Sequence, residues 1–341
     1  MTRFTCNSGI PAPAIQTTDV PDWTIGVACS QQLAATGGTG ALTWSDLNGD
    51  LVGTGLSLTT DGLLTGTPSA AGPITFTALV TDENAQTDQQ LLNFTINSAV
   101  VVNAATLPDW TAGVAYAQQL TASGGTGART FSDKLNSLAG TGLTLNAAGA
   151  LTGTPAAAGS IGFTALATDA VGATGERVFG FTVNPAVSIT TASLPDGKAG
   201  EAYTHAMEGT GGTGALVWSD AGGTLAGLGL AISDAGLITG APVDSGTFTL
   251  TLQAADQVGS TDQVELSLHV APAFICGDID GDGTIGVADV TYLVAFMFRG
   301  GEAPPIMAAA DLNATGAIEV NDLTMLISYL FRSGPLPTCA P

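Results

Sequence analysis

The chain has 341 residues, of which 7 are Lys or Arg and 29 are Asp or Glu, so the formal net charge is −22 although only 11 % of residues are charged. This balance excludes a nucleic-acid binder, because phosphate recognition needs clustered basic side chains. The basic residues are spread along the whole chain: Arg3, Arg129, Lys134, Arg177, Lys198, Arg299 and Arg332.

The first 13 residues are predicted to form an N-terminal tail. They begin MTRFTCNSG, which lacks the apolar region of a secretory signal. No segment anywhere reaches the roughly 18 apolar residues that cross a bilayer. We therefore expect a soluble chain without membrane insertion, such as the mature or recombinant form of an extracellular protein.

After the tail, the sequence repeats three times with a constant period. Pro21, Pro108 and Pro195 are spaced by 87 and 87 residues, and a second series of equivalent residues has the same spacing: Asp82, Asp169 and Asp256. A fixed period of this length indicates repeated structural units. We predict three modules, at residues 14–97, 101–184 and 188–271.

Each module is predicted to be an antiparallel β-sandwich. Apolar residues alternate along the chain, as at Ile161, Phe163 and Ala165, and turn sequences such as residues 146–149 separate the runs. About seven short strands rich in Thr and Val are typical of a sandwich. The equivalent aromatic residues Trp44, Phe131 and Trp218 are interpreted as core residues; the alternative is an aromatic platform that binds carbohydrate.

The run from Gly140 to Val183, GTGLTLNAAGALTGTPAAAGSIGFTALATDAVGATGERVFGFTV, resembles the Ig repeats, related to cadherin-like modules, that occur in tandem on bacterial extracellular proteins. The resemblance covers all three modules and implies a spacer or adhesive stalk. Calcium is not expected between modules, because the linkers at residues 97–100, 184–187 and 271–273 lack acidic clusters. The recurring Asp82, Asp169 and Asp256 are interpreted as turn or capping residues.

Two cysteines lie near the start of the chain. Cys29 occupies the position of Tyr116 and Tyr203 in the later modules, and Cys6 lies in the tail. A Cys6–Cys29 disulfide would attach the tail to the first module; the alternative is two unpaired thiols.

After Ala271 the composition changes to Asp-rich loops followed by apolar helices. In the first loop, oxygen donors fall at positions 1, 3, 5, 7 and 12, and Gly283 lies at position 6, as in calcium loops. A second loop follows 33 residues later with Thr315 at position 5, so we expect it to bind calcium more weakly and to lose the ion first. The predicted ligands are Asp278, Asp280, Asp282, Thr284 and Asp289, then Asp311, Asn313, Thr315, Ala317 and Asp322.

Each loop precedes an amphipathic helix that stops at Phe-Arg-x-Gly, and neither loop is expected to follow a helix in the manner of a full EF-hand. Such duplicated loop-helix units resemble the type I dockerin module, over residues 276–339. The resemblance implies folding coupled to calcium at two sites. It also agrees with a Cys276–Cys339 disulfide, because dockerins bring their ends together.

The dockerin resemblance implies a protein partner, a cohesin-like domain, bound through loop positions 10 and 11. Those positions hold Val287 and Ala288 in the first unit and Val320 and Asn321 in the second, where many dockerins have hydroxyl pairs. This departure implies a more apolar contact face that uses Phe298 and Phe331, unless the two rings are core residues.

No catalytic site can be assembled from the sequence. His205 and His269 have no evident nucleophile, and residues 281–286, GDGTIG, match a dinucleotide fingerprint only inside a calcium loop. We therefore predict a mainly β, non-enzymatic, extracellular or cell-surface protein: three tandem Ig-like sandwiches and a small α-helical calcium module that attaches to a protein. The alternative is a subunit of a self-assembling, calcium-stabilised filament, in which the partner is another copy of the chain.

Overall fold

The computed structural model describes residues 9–339. The chain is mainly β, with 38 % strand and 10 % helix. It forms two compact units, one ending at Pro185 and one beginning at Ala186. Among the described residues, no helix is both long enough and apolar enough to span a bilayer. The exact module boundaries stay a prediction, and modules 1, 2 and 3 below denote residues 14–97, 101–184 and 188–271.

Module 1 contains two sheets and a small ribbon. Its strands are β1 (Ala14–Ile15), β2 (Trp23–Thr24), β3 (Cys29–Gln32), β4 (Ala35–Thr36), β5 (Thr43–Asp46), β6 (Leu56–Leu58), β7 (Leu63–Gly66), β8 (Gly72–Thr81) and β9 (Thr87–Asn97). One sheet has the order β2-β9-β8-β5 and the other β3-β7-β6, while β1 pairs with β4. The seven strands of the two sheets enclose one core, as expected for a sandwich.

One strand pairing differs from the predicted antiparallel arrangement. Strand β2 runs parallel to β9, with Trp23 opposite Ile96. Parallel neighbours need a long connection, and here nearly the whole module serves as that connection. The second strand and the last strand of the module therefore lie side by side at one edge of the four-stranded sheet.

Module 2 repeats this architecture. Its sheets have the orders β11-β18-β17-β14 and β12-β16-β15, with the ribbon β10-β13. The strands are β10 (Val101–Val102), β11 (Trp110–Thr111), β12 (Tyr116–Gln119), β13 (Ala122–Ser123), β14 (Thr130–Asp133), β15 (Leu143–Leu145), β16 (Ala150–Gly153), β17 (Gly159–Thr168) and β18 (Thr174–Asn184).

Module 3 has the same sheets and one additional helical turn, α1 (Thr224–Gly227). Its sheets have the orders β20-β27-β26-β23 and β21-β25-β24, with the ribbon β19-β22. The strands are β19 (Ser188–Ile189), β20 (Gly197–Lys198), β21 (Tyr203–Ala206), β22 (Gly209–Thr210), β23 (Val217–Asp220), β24 (Leu230–Ile232), β25 (Leu237–Gly240), β26 (Gly246–Ala255) and β27 (Thr261–Ala271).

Alternating burial produces the three cores. In β17 the side chains of Phe163, Ala165 and Ala167 face inward, as the sequence pattern predicts. The rings of Trp44, Phe131 and Trp218 are only 6 %, 8 % and 5 % exposed. These aromatic residues are therefore core residues, and the alternative of an exposed carbohydrate platform at these positions is wrong.

Cys29 corrects a further expectation. Its thiol is free and buried in the core of module 1, at the position that Tyr116 and Tyr203 fill in the other modules. Because the side chain faces inward from β3, the predicted Cys6–Cys29 bond is not formed here; Cys6 itself lies outside the described residues. Burial also raises the pKa of the Cys29 thiol, which keeps it protonated and unreactive.

The C-terminal module is small and helical. Its helices are α2 (Val287–Arg299), α3 (Met307–Ala310) and α4 (Val320–Arg332). The one-turn helix α3 directly precedes the second loop, where the alanines at 308–310 are strong helix formers. Its four residues are too few for the helix that precedes the loop of a full EF-hand. Leu293 and Leu326 are fully buried between the helices. The predicted Cys276–Cys339 disulfide is confirmed and joins the two ends of the module.

Candidate calcium site, contact face and module junction

The first Asp-rich loop brings three predicted ligands together. One carboxylate oxygen from each of Asp278, Asp280 and Asp282 lies within 4.8 Å of the others. Carboxylate oxygens are the hard ligands that calcium prefers, and a calcium ion takes six to eight of them. The donor set of this loop therefore fits calcium.

Backbone hydrogen bonds give the loop its shape. The N–H groups of Gly281 and Gly283 donate to the two oxygens of Asp278 at 3.0 and 2.9 Å. Gly283 has a φ of +90°, which residues with a side chain rarely adopt. The N–H and hydroxyl of Thr284 both donate to Asp282 Oδ1, at 2.9 and 2.8 Å. The acidic side chains are thus oriented by their own loop.

Asp289, the predicted ligand at position 12, lies behind this cluster at the start of α2. It is 1 % exposed, and its Oδ1 accepts hydrogen bonds from the N–H groups of Ile279 and Asp280, at 2.5 and 3.0 Å. Its Oδ2 accepts from Gly286 N–H at 2.6 Å, which caps the helix. Asp289 therefore attaches the loop to α2, and the structure does not place it among the three converging carboxylates.

The electrostatics of the loop favour a cation. Desolvation is the main cause that raises the pKa of Asp280, and the nearby carboxylates of Asp289, Asp282 and Asp278 raise it further, against a hydrogen bond from Asp282 N–H. Like charges this close destabilise one another. A bound calcium ion would supply the positive charge that compensates them.

The second loop has a similar hydrogen-bond pattern and fewer charges. Asp311 accepts from the N–H groups of Thr315 and Gly316 at 3.0 and 2.7 Å, and the buried Asp322 accepts from Asn313 and Glu319 at 3.2 and 2.7 Å. The Thr315 hydroxyl donates to the carbonyl of Ala317 at 3.3 Å. Thr315 therefore stands where the first loop has Asp282. Its hydroxyl is hydrogen-bonded to the Ala317 carbonyl, which the sequence predicted as a calcium ligand.

The four predicted partner-binding residues lie in the first turns of α2 and α4. Val287 and Val320 are 58 % and 55 % exposed, and Ala288 and Asn321 are also exposed.

At the far ends of the same helices, Phe298 and Phe331 are each 60 % exposed, so neither ring is a core residue. Each Phe follows its Val by 11 residues, which is about 20° past three full turns, so both lie on one helix face. We call these surfaces the α2 stripe (Val287, Phe298) and the α4 stripe (Val320, Phe331).

The junction between modules 1 and 2 is a buried hydrogen-bonded cluster that sequence reasoning missed. The Thr24 hydroxyl lies 2.6 Å from Asp169 Oδ2 and 2.7 Å from the Thr126 hydroxyl, and Asn97 Nδ2 donates to the Thr126 hydroxyl at 3.0 Å. We call these four residues the clasp. Thr24 is fully buried, and the nearby Val27 packs against the core of module 2.

The acidic member of the clasp also has the predicted capping role. Asp169 Oδ1 accepts from the N–H groups of Val171 and Ala173 at 3.0 and 2.7 Å, and Oδ2 accepts from Thr126 N–H at 2.7 Å. Desolvation raises the pKa of this carboxyl, but the hydrogen bonds from Thr24 and the backbone outweigh it and lower the pKa overall. The ionised carboxylate is therefore the form that holds the junction.

Comparison with known families confirms both resemblances. Residues 98–184 match the family described as "Putative Ig domain", and residues 276–331 match the dockerin type I domain. Dockerin type I domains bind calcium and bind cohesin partners. Domains of the two families are typically non-catalytic and typical of extracellular or cell-surface proteins. The chain therefore combines Ig-like modules with a C-terminal dockerin module.

Solved structures of several multi-domain fragments are similar to this chain at low sequence identity. A three-Ig fragment of titin is 13 % identical, with 76 % of this chain and 98 % of that chain covered and a TM-score of 0.37. A fragment of mouse cadherin-23 is 16 % identical, with 76 % of this chain and 99 % of that chain covered and a TM-score of 0.26. The extracellular domains 3–5 of Drosophila OTK are 12 % identical, with 77 % of this chain and 99 % of that chain covered and a TM-score of 0.31. No curated protein matches the chain.

Proposed function

We propose that this protein is a non-enzymatic extracellular attachment protein, in which Ig-like modules form a semi-stiff spacer and the dockerin module binds a cohesin-like domain. The observation that carries the proposal is the pair of exposed apolar stripes, each beginning directly after an acidic loop. The loops hold calcium, and the stripes supply the contact.

Calcium and contact are connected through the first turn of each helix. Asp289 and Asp322 cap α2 and α4 from inside the loops, and Val287 and Val320 lie two residues before them. When the ion orders the loop, it therefore also positions the start of the stripe. The second calcium site is part of this proposal, and it is weaker because its loop has fewer carboxylates.

The stripes indicate the chemistry of the partner. Each stripe extends over about 16 Å at 1.5 Å per residue, and exposed aromatic and branched apolar side chains are typical of the centre of a protein interface. A cohesin-like domain with an apolar face would therefore fit the stripes better than one that offers hydrogen bonds to hydroxyl pairs.

The two modules of the first unit supply the stiffness. The clasp makes hydrogen bonds across the junction of modules 1 and 2, and Val27 makes apolar contacts there. Bending at this junction would break these hydrogen bonds and leave buried polar groups without partners, which costs free energy. Modules 1 and 2 would therefore behave as one stiff piece of the spacer.

The test is binding of the full chain to a panel of cohesin domains by surface plasmon resonance, with calcium and with EDTA. We expect calcium-dependent binding that V287A/F298A or V320A/F331A weakens at least about tenfold, as for residues at an interface centre. V178A, which removes another exposed apolar side chain but lies on module 2, is the matched control and should bind normally.

Light scattering of the same samples separates the two predicted partners. Calcium-dependent polymers of the pure chain, abolished by the stripe substitutions, would favour the filament alternative over a foreign partner. Absence of both cohesin binding and polymers in calcium would refute the attachment role.

A further inference from the structure

The outer face of the four-stranded sheet of module 1 is uncharged. Its side chains project from β5, β8 and β9 on the side away from the core, with Thr75 opposite Asn93 and Thr77 opposite Leu91. We call this surface the Leu79–Leu91 face, and none of its residues is charged although the chain has a net charge of −22. The face consists of Thr43, Ser45, Pro73, Thr75, Thr77, Leu79, Thr81, Thr87, Gln89, Leu91, Asn93 and Thr95.

Two apolar side chains lie at the centre of this face. Leu79 is opposite Gln89 and Leu91 is opposite Thr77, so the two leucines are diagonal neighbours on adjacent strands, within reach of each other. Leu91 is 54 % exposed. Hydroxyl and amide side chains surround the pair, and an apolar centre with a polar rim is the usual anatomy of a protein interface.

The other modules show that the fold does not need this apolar pair. The equivalent positions hold Leu166 and Val178 in module 2, but Gln253 and Glu265 in module 3. The three modules nevertheless have the same strand order. A preference for strands explains the threonines of the face, whereas the sheet forms equally well without the leucines. A contact with another molecule would explain why they are exposed.

The chemistry of the face fits a second copy of itself. Hydroxyl and amide side chains both donate and accept hydrogen bonds, so each of them can face its own kind. A contact about a two-fold axis requires this self-complementarity. Two copies that each have a net charge of −22 repel one another, and the repulsion is smallest where neither surface is charged. The face also has no aromatic ring on which a sugar could stack, which disfavours a polysaccharide.

The size of the face indicates a weak contact. A protein interface of standard size uses about 20–30 residues on each side, and the Leu79–Leu91 face offers about half of that number. We therefore expect a dimer that forms only at high protein concentration.

We propose that the Leu79–Leu91 face is a self-association surface, through which two copies of the chain pair about a two-fold axis with their leucine pairs in contact. The face includes neither the acidic loops nor the stripes. The inference therefore goes beyond the attachment role and is independent of cohesin binding.

The test is sedimentation velocity of the full chain at up to about 1 mM, with calcium and with EDTA. All samples carry C6S, so that no disulfide between copies contributes. We expect the same concentration-dependent dimer in both conditions. L79D/L91D should weaken it at least about tenfold, because four carboxylates would meet at the centre of the contact.

V52D/S57D is the matched control. It adds the same two charges at exposed positions of module 1 that lie outside the face. At a physiological ionic strength, where charges more than about 8 Å apart are largely screened, this variant should dimerise as the unsubstituted chain does.

Mixing two charged variants tests the two-fold geometry. L79K/L91K should also lose self-association, but an equimolar mixture with L79D/L91D should form a heterodimer, because opposite charges then meet across the axis. Two variants that had simply failed to fold would not recover in the mixture.

Four results would overturn the proposal. The first is a chain that stays monomeric at about 1 mM, and the second is a dimer that L79D/L91D leaves intact. The third is equal weakening by V52D/S57D, which would assign the effect to net charge. The fourth is a mixture of the two charged variants without a heterodimer. Binding of dextran by a monomeric chain, abolished by L79D/L91D, would instead assign the face to a polysaccharide.

Discussion

Module 2 and the C-terminal module both have a buried apolar core, but the two cores differ in size. Sixteen apolar side chains form the buried core of module 2, including the stacked rings of Tyr116 and Phe181. Six form the buried core of the C-terminal module. Small domains bury too little apolar surface to be stable alone and often need disulfides or metals. The C-terminal module has a disulfide and a loop whose donors fit calcium.

This difference indicates which of the two modules calcium can regulate. A sandwich with a large core is stable whether or not an ion is present, so it suits a spacer. A module whose fold depends on an ion presents its contact residues only when that ion is bound. The following predictions test this division of roles, from the largest effect to the smallest.

The largest effect should come from the two cores. Phe163→Ala in module 2 and Leu326→Ala in the C-terminal module each remove a buried side chain, and should cost about 3–5 and 2–5 kcal/mol. We expect Phe163→Ala to lower the thermal stability of the sandwich at any calcium level. We expect Leu326→Ala to act mainly by weakening calcium binding.

Calorimetric unfolding and calcium titration of both variants measure these effects. V178A, an exposed residue on β18, is the control for Phe163→Ala. An unchanged calcium affinity in Leu326→Ala would show that folding of the C-terminal module is independent of the ion.

The disulfide should have the next largest effect. The bond joins residues 63 positions apart, and its removal in C276S/C339S should destabilise the C-terminal module by about 2–4 kcal/mol. Hydrogen exchange of α2 and α4 amides in calcium measures the loss. The amides of β8 and β17, in the sandwiches, should exchange at the rate of the unsubstituted chain; faster exchange there would contradict the separation of the two regions.

The clasp should have a smaller, pH-dependent effect. The pKa of Asp169 is lower in the folded chain than in the unfolded one, so its contribution is fully present above the unfolded pKa and is lost as the pH falls through the folded pKa. Asp169→Asn should cost about 1–3 kcal/mol at neutral pH.

Unfolding of the first unit, followed from pH 7 down to about pH 2, measures this effect. We expect Asp169→Asn to reduce the loss of stability on acidification, and Asp109→Asn, which also removes a hydrogen-bonded carboxylate of module 2, to serve for comparison. Identical pH profiles for Asp169→Asn and the unsubstituted chain would mean that the carboxylate does not hold the junction.

The smallest effect concerns the order in which the loops lose calcium. Thr315→Asp places a carboxylate at position 5 of the second loop. A unit charge 4 Å from a divalent ion in water gains about 2 kcal/mol, and repulsion by Asp311 at a similar distance removes about half of this, which leaves about 1 kcal/mol, or roughly fivefold in affinity. In the unsubstituted chain we expect the second loop to lose its ion first. Calorimetric calcium titration measures the two affinities, and Asp282→Asn, which weakens the first loop, assigns each affinity to its loop. A weaker affinity at the first loop than at the second would contradict this ranking.

The sequence predicted features that depend on local or periodic patterns. The 87-residue period, the alternation in β17 and the spacing of the two loops are visible in single stretches of chain, and the corresponding elements are present. Cys276 and Cys339 flank one compact module, so their bond followed from the family resemblance.

The features that the sequence did not predict depend on contacts between residues far apart in the chain, or on whether one side chain points into the core or to solvent. Thr24 and Asp169 are 145 residues apart, and no local pattern connects them. The even number of cysteines suggested a disulfide at Cys29, but the number of cysteines says nothing about which way a side chain points. The large apolar residues at the equivalent positions, Tyr116 and Tyr203, could have indicated that this side chain faces the core. The parallel pairing of β2 with β9 likewise joins the two ends of a module.

The central claim is that calcium holds the C-terminal module folded while the Ig-like modules fold without it. Its most direct test is titration of calcium into the metal-free full chain, followed by far-UV circular dichroism and by amide exchange of both regions. The claim predicts that the helical signal of α2 and α4 appears with calcium while the exchange of β8, β17 and β26 stays unchanged. A helical signal that is already complete in EDTA, with α2 and α4 protected, would contradict it.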